Sequence, residues 1–169
     1  AGVDQFLAQG AEDAVAGADF LKTLPYIDAE HIGITGTSYG GILSMDAVAF
    51  TPGVFQAAIA CSGYGDFVNM ADEQELRHIK LLEFELGTLP AAEAVYRRCS
   101  AIYQVHQATT PCFILHGTGK YPGSAAGRDF ALALERAYKP FWYKAYPGEN
   151  YYVMGAANVR RMLLDMRAF

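Results

Sequence analysis

The stretch His31-Ile-Gly-Ile-Thr-Gly-Thr-Ser-Tyr-Gly-Gly41 decides the fold. A short apolar strand is predicted over 31–35, and a helix of small residues over 40–50. Between them lies Gly-x-Ser-x-Gly, which in this context is typical of a nucleophile elbow, where a sharp turn lifts the serine above the sheet. In that geometry Ser38 Oγ is the nucleophile, the Tyr39 backbone N–H points at an oxyanion, and Gly36 and Gly40 prevent clashes. An ordinary glycine-rich turn is the plainer alternative.

The rest of the chain alternates in the same way. Apolar runs predict further strands over 55–61, 112–116 and 141–145, and helical spacing predicts helices over 12–24, 72–86, 90–98, 124–137 and 158–169. The run 112–116 is apolar without alternation, which is typical of a strand covered on both faces. The stretch 66–100 contains no strand candidate and indicates a helical excursion above the carboxyl edge. Strands that alternate with helices predict an α/β fold with one parallel sheet.

Composition limits the classes of function. The chain has 169 residues, 52% hydrophobic and 18% charged, which favours one packed domain over disorder. The net charge is −5 and no basic run exceeds two residues, so no nucleic-acid partner is expected. No apolar stretch is long enough to span a bilayer, and no signal-peptide pattern occurs, so no membrane partner is expected. Localisation is left open, because the first residue is alanine.

The cysteines do not indicate a metal or a disulfide framework. There are three, Cys61, Cys99 and Cys112, and none belongs to a Cys-x-x-Cys pair. Cys61 and Cys112 lie in apolar runs and are predicted to be small core residues. No cofactor and no metal are therefore expected.

A family resemblance emerges when the motifs are read together. The run from Ala18 to Gly41 resembles the catalytic domain of the prolyl oligopeptidase family of serine peptidases, and the similarity continues through 55–63, 100–103, 110–117, 130–135 and 146–149. The resemblance implies a partial α/β-hydrolase fold with about four parallel strands flanked by helices. It also implies that residues 1–169 are the C-terminal portion of such a catalytic domain. The upstream half, with the second oxyanion-hole donor, would then be missing.

The resemblance identifies two departures from the family's catalytic triad. The family places its acid in His-Gly-x-x-Asp, where this chain has Lys120. The catalytic histidine follows Tyr-Pro-Gly-Glu-x, where this chain has Tyr151. A tyrosine, with an ordinary pKa of about 10, is a poor general base at neutral pH. A lysine cannot stabilise an imidazolium as aspartate does, although a Ser38–Lys120 dyad is a conceivable alternative.

Other candidate groups have plainer interpretations. We predict structural or surface roles for all four histidines, His31, His78, His106 and His116, because a base must first satisfy geometry. The tyrosines at 143, 146, 151 and 152 could line a ligand pocket, but packing of a strand and its following loop is favoured.

Three functions follow from these residues. The first is a serine-type peptidase or hydrolase that transfers the acyl group of a peptide or small ester to Ser38, with activity weakened or lost through Lys120 and Tyr151. The second is a catalytically degenerate homologue that acts as a binding or interaction module. The third is an esterase of the same fold, similar to dienelactone hydrolases or acetyl esterases.

Overall fold

A computed structural model describes residues 5–73, 76–119 and 126–169, with side chains for 10–71, 79–119 and 126–169. Helices and strands alternate in the order α1 Gln5–Lys22, β1 Gly33–Thr37, α2 Tyr39–Phe50, β2 Ala57–Cys61, α3 Phe67–Glu73, α4 Leu76–Leu86, α5 Glu93–Cys99, β3 Cys112–Gly117, α6 Ala126–Arg136, β4 Phe141–Tyr146 and α7 Ala156–Ala168. Short 3₁₀ turns at 101–103 and 105–107 precede β3. No helix in the described ranges is both long and apolar enough to cross a membrane.

The four strands form one parallel sheet in chain order, as predicted. β2 pairs with β1 on one side and with β3 on the other, so that Gly36 lies beside Ala60 and Cys61 beside Leu115. Because all strands run the same way, their carboxyl ends share one edge, and residues far apart in sequence meet there.

Helices cover both faces of the sheet, which explains the unbroken apolar character of β3. Cys112 and Ile114 face one side, where they pack with α2 and α6. Phe113 and Leu115 face the other side, where they pack with α7. All six residues of β3 are buried as a result. Within the described residues β1 pairs only with β2, and its burial alternates between exposed and half-buried.

Several predicted boundaries differ from those in the structure by two residues or more. α1 begins at Gln5 rather than 12 and spans Gly10, a residue that usually weakens a helix. A Cβ at Gly10 would lie 2.7 Å from the Leu43 side chain, so the glycine permits close approach of α1 and α2. The strand predicted over 31–35 lies at 33–37. The helix predicted over 72–86 begins earlier, at Phe67, and the structure describes it as α3 and α4 on either side of residues 74–75, which lie outside the described residues.

Candidate active site

Ser38 lies in a strained turn between β1 and α2. Its backbone has φ 59° and ψ −116°, in the left-handed half of conformational space that non-glycine residues rarely adopt. Such strain costs about 1–3 kcal/mol and persists only where surrounding contacts impose it. Here the Ser38 N–H donates to the Cys61 carbonyl at 3.0 Å, and the Ser38 carbonyl accepts from the Ile42 N–H at 3.0 Å. The turn therefore has the geometry of a nucleophile elbow.

Three glycines make that turn possible by close backbone packing. A Cβ at Gly36 would collide with the backbone of Gly40, and a Cβ at Gly41 would collide with the Cys61 carbonyl. A Cβ at Gly63 would lie 2.6 Å from the Gly41 backbone. The prediction that Gly40 also avoids a clash is wrong, because a Cβ there would meet nothing within 4 Å. Gly40 supplies the backbone surface on which Gly36 packs.

The oxyanion candidate Tyr39 is the first residue of α2. The N–H groups of a helix's first turn point out along its axis, toward the carboxyl edge of this sheet. Tyr39 is 40% exposed and directly follows Ser38 at the elbow.

The structure brings Tyr151 to Ser38 across 113 residues of sequence. The Tyr151 phenol oxygen lies 3.3 Å from Ser38 Oγ and 2.5 Å from the Ser62 carbonyl oxygen. A phenol carries one proton, and a carbonyl can only accept a hydrogen bond. The phenol proton is therefore directed to the shorter contact, at Ser62, and the phenol oxygen faces Ser38 as an acceptor.

Ser62 is the site residue that the sequence analysis missed. It follows β2, is 5% exposed and has φ 49°. Its hydroxyl donates to the Tyr151 backbone carbonyl at 2.5 Å, so Ser62 and Tyr151 are joined by two hydrogen bonds in opposite directions. A polar residue directly after a predicted strand, followed by Gly63, was the available signal, since strand ends meet at the edge that holds Ser38.

The loop that carries Tyr151 is anchored by Glu149. The Glu149 carboxylate is 8% exposed and accepts hydrogen bonds from the N–H groups of Met154 (2.8 Å) and Gly155 (3.1 Å) and from Asn158 Nδ2 (2.7 Å). These hydrogen bonds hold the pKa of Glu149 below its usual range, and the bond from the Met154 N–H has the largest effect. The carboxylate thus joins the start of the loop to the first turn of α7.

The same loop lies against the end of β3. The Gly119 N–H donates to the Glu149 carbonyl at 2.7 Å, and a Cβ at Gly117 would collide with the Asn150 carbonyl. The His-Gly segment and the segment carrying Tyr151 are therefore adjacent, as the acid and base segments of a triad must be. Lys120 itself, at the predicted acid position, lies outside the described residues.

Histidines with described side chains have other partners or lie on the surface. His116 is buried; its Nδ1 lies 2.7 Å from the Gly117 carbonyl and its Nε2 lies 2.9 Å from the Tyr143 hydroxyl. Because the carbonyl can only accept, Nδ1 carries the proton and Nε2 accepts from Tyr143. Burial lowers the pKa of His116 and favours this neutral form. His31 pairs with Asp28 at 2.7 Å, and His106 is exposed on a 3₁₀ turn.

The four C-terminal tyrosines do not form one cluster. Tyr146 is buried and its hydroxyl donates to Asp165 at 2.8 Å, whereas Tyr143 pairs with His116. Tyr151 contacts Ser38, and its ring packs against that of Tyr152, with the ring centroids 4.7 Å apart in an edge-to-face arrangement. The Tyr64 ring also lies near that of Tyr151, with the ring centroids 6.3 Å apart. The phenol at Ser38 therefore has two aromatic neighbours.

Across the described residues, no three His, Cys, Asp or Glu side chains come together in a way that could hold a metal ion. The groups that converge at Ser38 are the Tyr151 hydroxyl and, in contact with it, the Ser62 backbone carbonyl.

Comparison with known proteins agrees with this geometry. The family model described as "Prolyl oligopeptidase family" matches residues 4–169. A puromycin-hydrolyzing peptidase of Mycobacterium tuberculosis superposes with a TM-score of 0.91 at 28% identity, over 98% of this chain and 25% of that one. The four parallel strands with flanking helices are therefore part of an α/β-hydrolase fold.

Curated relatives are dipeptidyl peptidases by name. A "Probable dipeptidyl peptidase 4" of Aspergillus flavus is 44% identical over 55 residues, covering 30% of this chain and 7% of that protein. An "Inactive dipeptidyl peptidase 10" of Mus musculus is 27% identical over 153 residues, covering 85% of this chain and 17% of that protein. The chain thus spans less than a fifth of these two relatives. With the elbow at Ser38 and the match over 4–169, the chain belongs to the prolyl oligopeptidase family of serine peptidases.

Proposed function

We propose that this chain carries the nucleophile of a serine hydrolase that acts on peptides or small esters and turns over slowly. The observation that carries the proposal is the strained elbow at Ser38, held by close glycine packing and contacted by Tyr151 at 3.3 Å. Strain of this kind is retained where it serves a site. The family match supports a peptide substrate.

The proposed reaction is acyl transfer. Ser38 Oγ attacks the substrate carbonyl, the Oγ–C bond forms, and the resulting oxyanion is held by the Tyr39 N–H. The bond to the leaving amine or alcohol then breaks, and the serine proton passes to that leaving group. Water attacks the acyl-enzyme, which releases the acid and restores Ser38.

Slow turnover follows from the group at the base position. The neutral Tyr151 phenol is a weak proton acceptor, and its own proton is directed to Ser62. Lys120, at the family's acid position, cannot stabilise a cation formed at position 151. The proposal includes the assignment of residues 1–169 to the C-terminal portion of the catalytic domain. The chain covers 25% of the mycobacterial peptidase, which agrees with its being a portion of a longer protein of this kind.

Covalent labelling tests the proposal. A fluorophosphonate should form an adduct that mass spectrometry locates at Ser38, and slow turnover of p-nitrophenyl acetate should disappear in Ser38→Ala. Turnover that is unchanged in Ser38→Ala would contradict the proposal. Comparing p-nitrophenyl esters with dipeptidyl amides distinguishes a peptidase from an esterase of the same fold.

A second candidate function is peptide binding without catalysis. It is favoured by the direction of the Tyr151 proton, which leaves Ser38 without a strong base at this contact, and by the relative whose name includes "Inactive". For this function, peptide affinity measured by calorimetry should be the same in wild type and Ser38→Ala, and no acyl-enzyme should accumulate.

A further inference from the structure

Three groups at the site are joined in one hydrogen-bonded series. Ser38 Oγ lies 3.3 Å from the Tyr151 phenol oxygen, and that oxygen lies 2.5 Å from the Ser62 carbonyl. We propose that these groups form a relay in which Ser62 is the positioning residue. Its carbonyl accepts the hydrogen bond of the phenol O–H and its hydroxyl fixes the Tyr151 backbone, so that the phenol oxygen accepts a hydrogen bond from Ser38. This inference rests on the proposed function.

The relay replaces the orienting acid by a backbone carbonyl. In a Ser-His-Asp triad the carboxylate accepts a hydrogen bond from one ring N–H of the histidine. This orients the histidine so that its other ring nitrogen faces the serine. The Ser62 carbonyl likewise accepts a hydrogen bond from the phenol O–H, and this turns a lone pair of the phenol oxygen toward Ser38. The Ser62 carbonyl is neutral and supplies no charge. The relay therefore orients Ser38 but activates it no more than a single neutral hydrogen bond would.

The position of the Ser62 carbonyl is fixed from several sides. The Ser62 N–H donates to the Leu115 carbonyl at 2.8 Å, and its hydroxyl donates to the Tyr151 carbonyl. The next residue, Gly63, packs against the backbone of Gly41 in α2. The left-handed conformation of Ser62, with φ 49°, is imposed by these contacts. Contacts with strand β3, helix α2 and the Tyr151 loop thus together fix the Ser62 carbonyl in a position to accept the hydrogen bond of the Tyr151 phenol.

The relay predicts that Ser62 affects Ser38 only through Tyr151. The rate of fluorophosphonate labelling at Ser38 should fall about three- to tenfold in Tyr151→Phe, the factor that one neutral hydrogen bond contributes. Ser62→Ala and Ser62→Gly should lower the rate by a similar factor, although glycine relieves the strain at φ 49° and alanine does not. Ser62→Cys, which keeps a weak donor, should recover part of the rate.

A double-mutant cycle separates positioning from a general loss of stability. Ser62→Ala combined with Tyr151→Phe should label no more slowly than Tyr151→Phe alone. The matched control is Ser100→Ala, because Ser100 is fully buried and bonds the Tyr96 carbonyl and the Phe67 N–H. It should lower the melting temperature without changing the labelling rate. Additive effects of Ser62 and Tyr151, or faster labelling in Tyr151→Phe, would overturn the relay.

A spectroscopic measurement tests the relay independently of the proposed function. A half-buried phenol proton in a short hydrogen bond should give a downfield hydroxyl resonance that is absent in Tyr151→Phe and displaced in Ser62→Gly. Identical hydroxyl spectra of wild type and Tyr151→Phe would refute the relay. If the resonance is present but Ser38 is labelled in no sample, the proposed hydrolase function fails and the relay is only a structural clamp, which also overturns its role at Ser38.

Discussion

Both carboxylate oxygens of Glu149 accept a hydrogen bond from the single backbone N–H of Gly155, each at 3.1 Å. The carboxylate therefore lies over the start of α7, where the helix dipole favours a negative charge. Because Tyr151 lies between these two residues, one carboxylate closes the loop that sets the phenol against Ser38.

The first prediction concerns that carboxylate. Glu149→Gln should lower the melting temperature by a few degrees near neutral pH, because the amide loses the charge and presents one acceptor oxygen instead of two. The folded pKa of Glu149 lies below the unfolded value, so its stabilisation is present above the ordinary glutamate pKa of about 4.3. It is lost as the pH falls through the folded pKa.

Thermal unfolding between pH 3 and 8 checks this. Wild type and Glu149→Gln should differ at pH 7 and converge in acid. The control is Glu135→Gln, because Glu135 is exposed on α6. A constant difference between wild type and Glu149→Gln at every pH would show that the charge is unimportant.

The second prediction concerns a buried carboxyl group on helix α2, which follows Ser38. Asp46 in α2 is 2% exposed, and its Oδ1 has no hydrogen-bond partner within the part of the chain that the structure describes. Burial raises the pKa of Asp46 well above its usual range. A raised folded pKa stabilises the fold below the unfolded pKa of about 3.9, and that contribution is lost as the pH rises through the folded value.

Asp46→Asn removes the titrating group at nearly equal volume. We expect the stability of Asp46→Asn relative to wild type to increase as the pH rises from 5 to 9, because only the wild-type carboxyl acquires a buried charge over that range, whereas the amide stays neutral. Denaturant unfolding at several pH values measures the difference. Asp13→Asn is the control, since Asp13 is exposed on α1 and should show a pH-independent effect.

The third prediction uses neighbouring glycines of the elbow. Gly41→Ala should destabilise the fold by about 3 kcal/mol or more, because the new Cβ would collide with the Cys61 carbonyl, which cannot move without disturbing β2. Gly40→Ala should be neutral or stabilising by up to about 1 kcal/mol, because its Cβ meets nothing within 4 Å and alanine favours a helix. Urea unfolding of both variants measures the contrast, and equal effects would contradict the close packing at Gly41.

The fourth prediction concerns the substituted triad. Loss of triad members usually lowers kcat by about 10⁴–10⁶, so turnover should be far below that of relatives with the full set. Tyr151→His alone should increase turnover only slightly, because the new imidazole would have Lys120 rather than an acid at the partner position. Tyr151→His with Lys120→Asp should gain more than the product of the two single changes, because triad members act as a unit.

The measurement is kcat/KM for p-nitrophenyl esters and dipeptidyl amides in wild type, both single variants and the double variant. Adding Ser38→Ala to the double variant is the control and should abolish the gain. Brisk wild-type turnover that Ser38→Ala removes would be evidence against the degenerate triad, and its further loss in Lys120→Ala would favour a Ser38–Lys120 dyad.

The sequence by itself determined the features that depend on near neighbours. The elbow at Ser38 was predictable because a strand, a tight turn and a helix within eleven residues leave few backbone solutions. The parallel sheet was predictable because strands alternate with helices, and the apolar run 112–116 indicated a strand buried on both faces. Gly40 was misjudged because the sequence does not show which glycine receives the close contact.

Only the tertiary structure decided what faces Ser38. Position 151 was identified by resemblance, but the direction of its proton depends on Ser62, which is 89 residues away in sequence and has a backbone conformation that no local pattern signals. The carboxyl ends of parallel strands bring such residues to one edge, and hydrogen-bond direction is set there by ångström-scale placement of carbonyls. The packed sheet, the close contacts of its glycines and the hydrogen bonds of Glu149 together determine where these carbonyls lie.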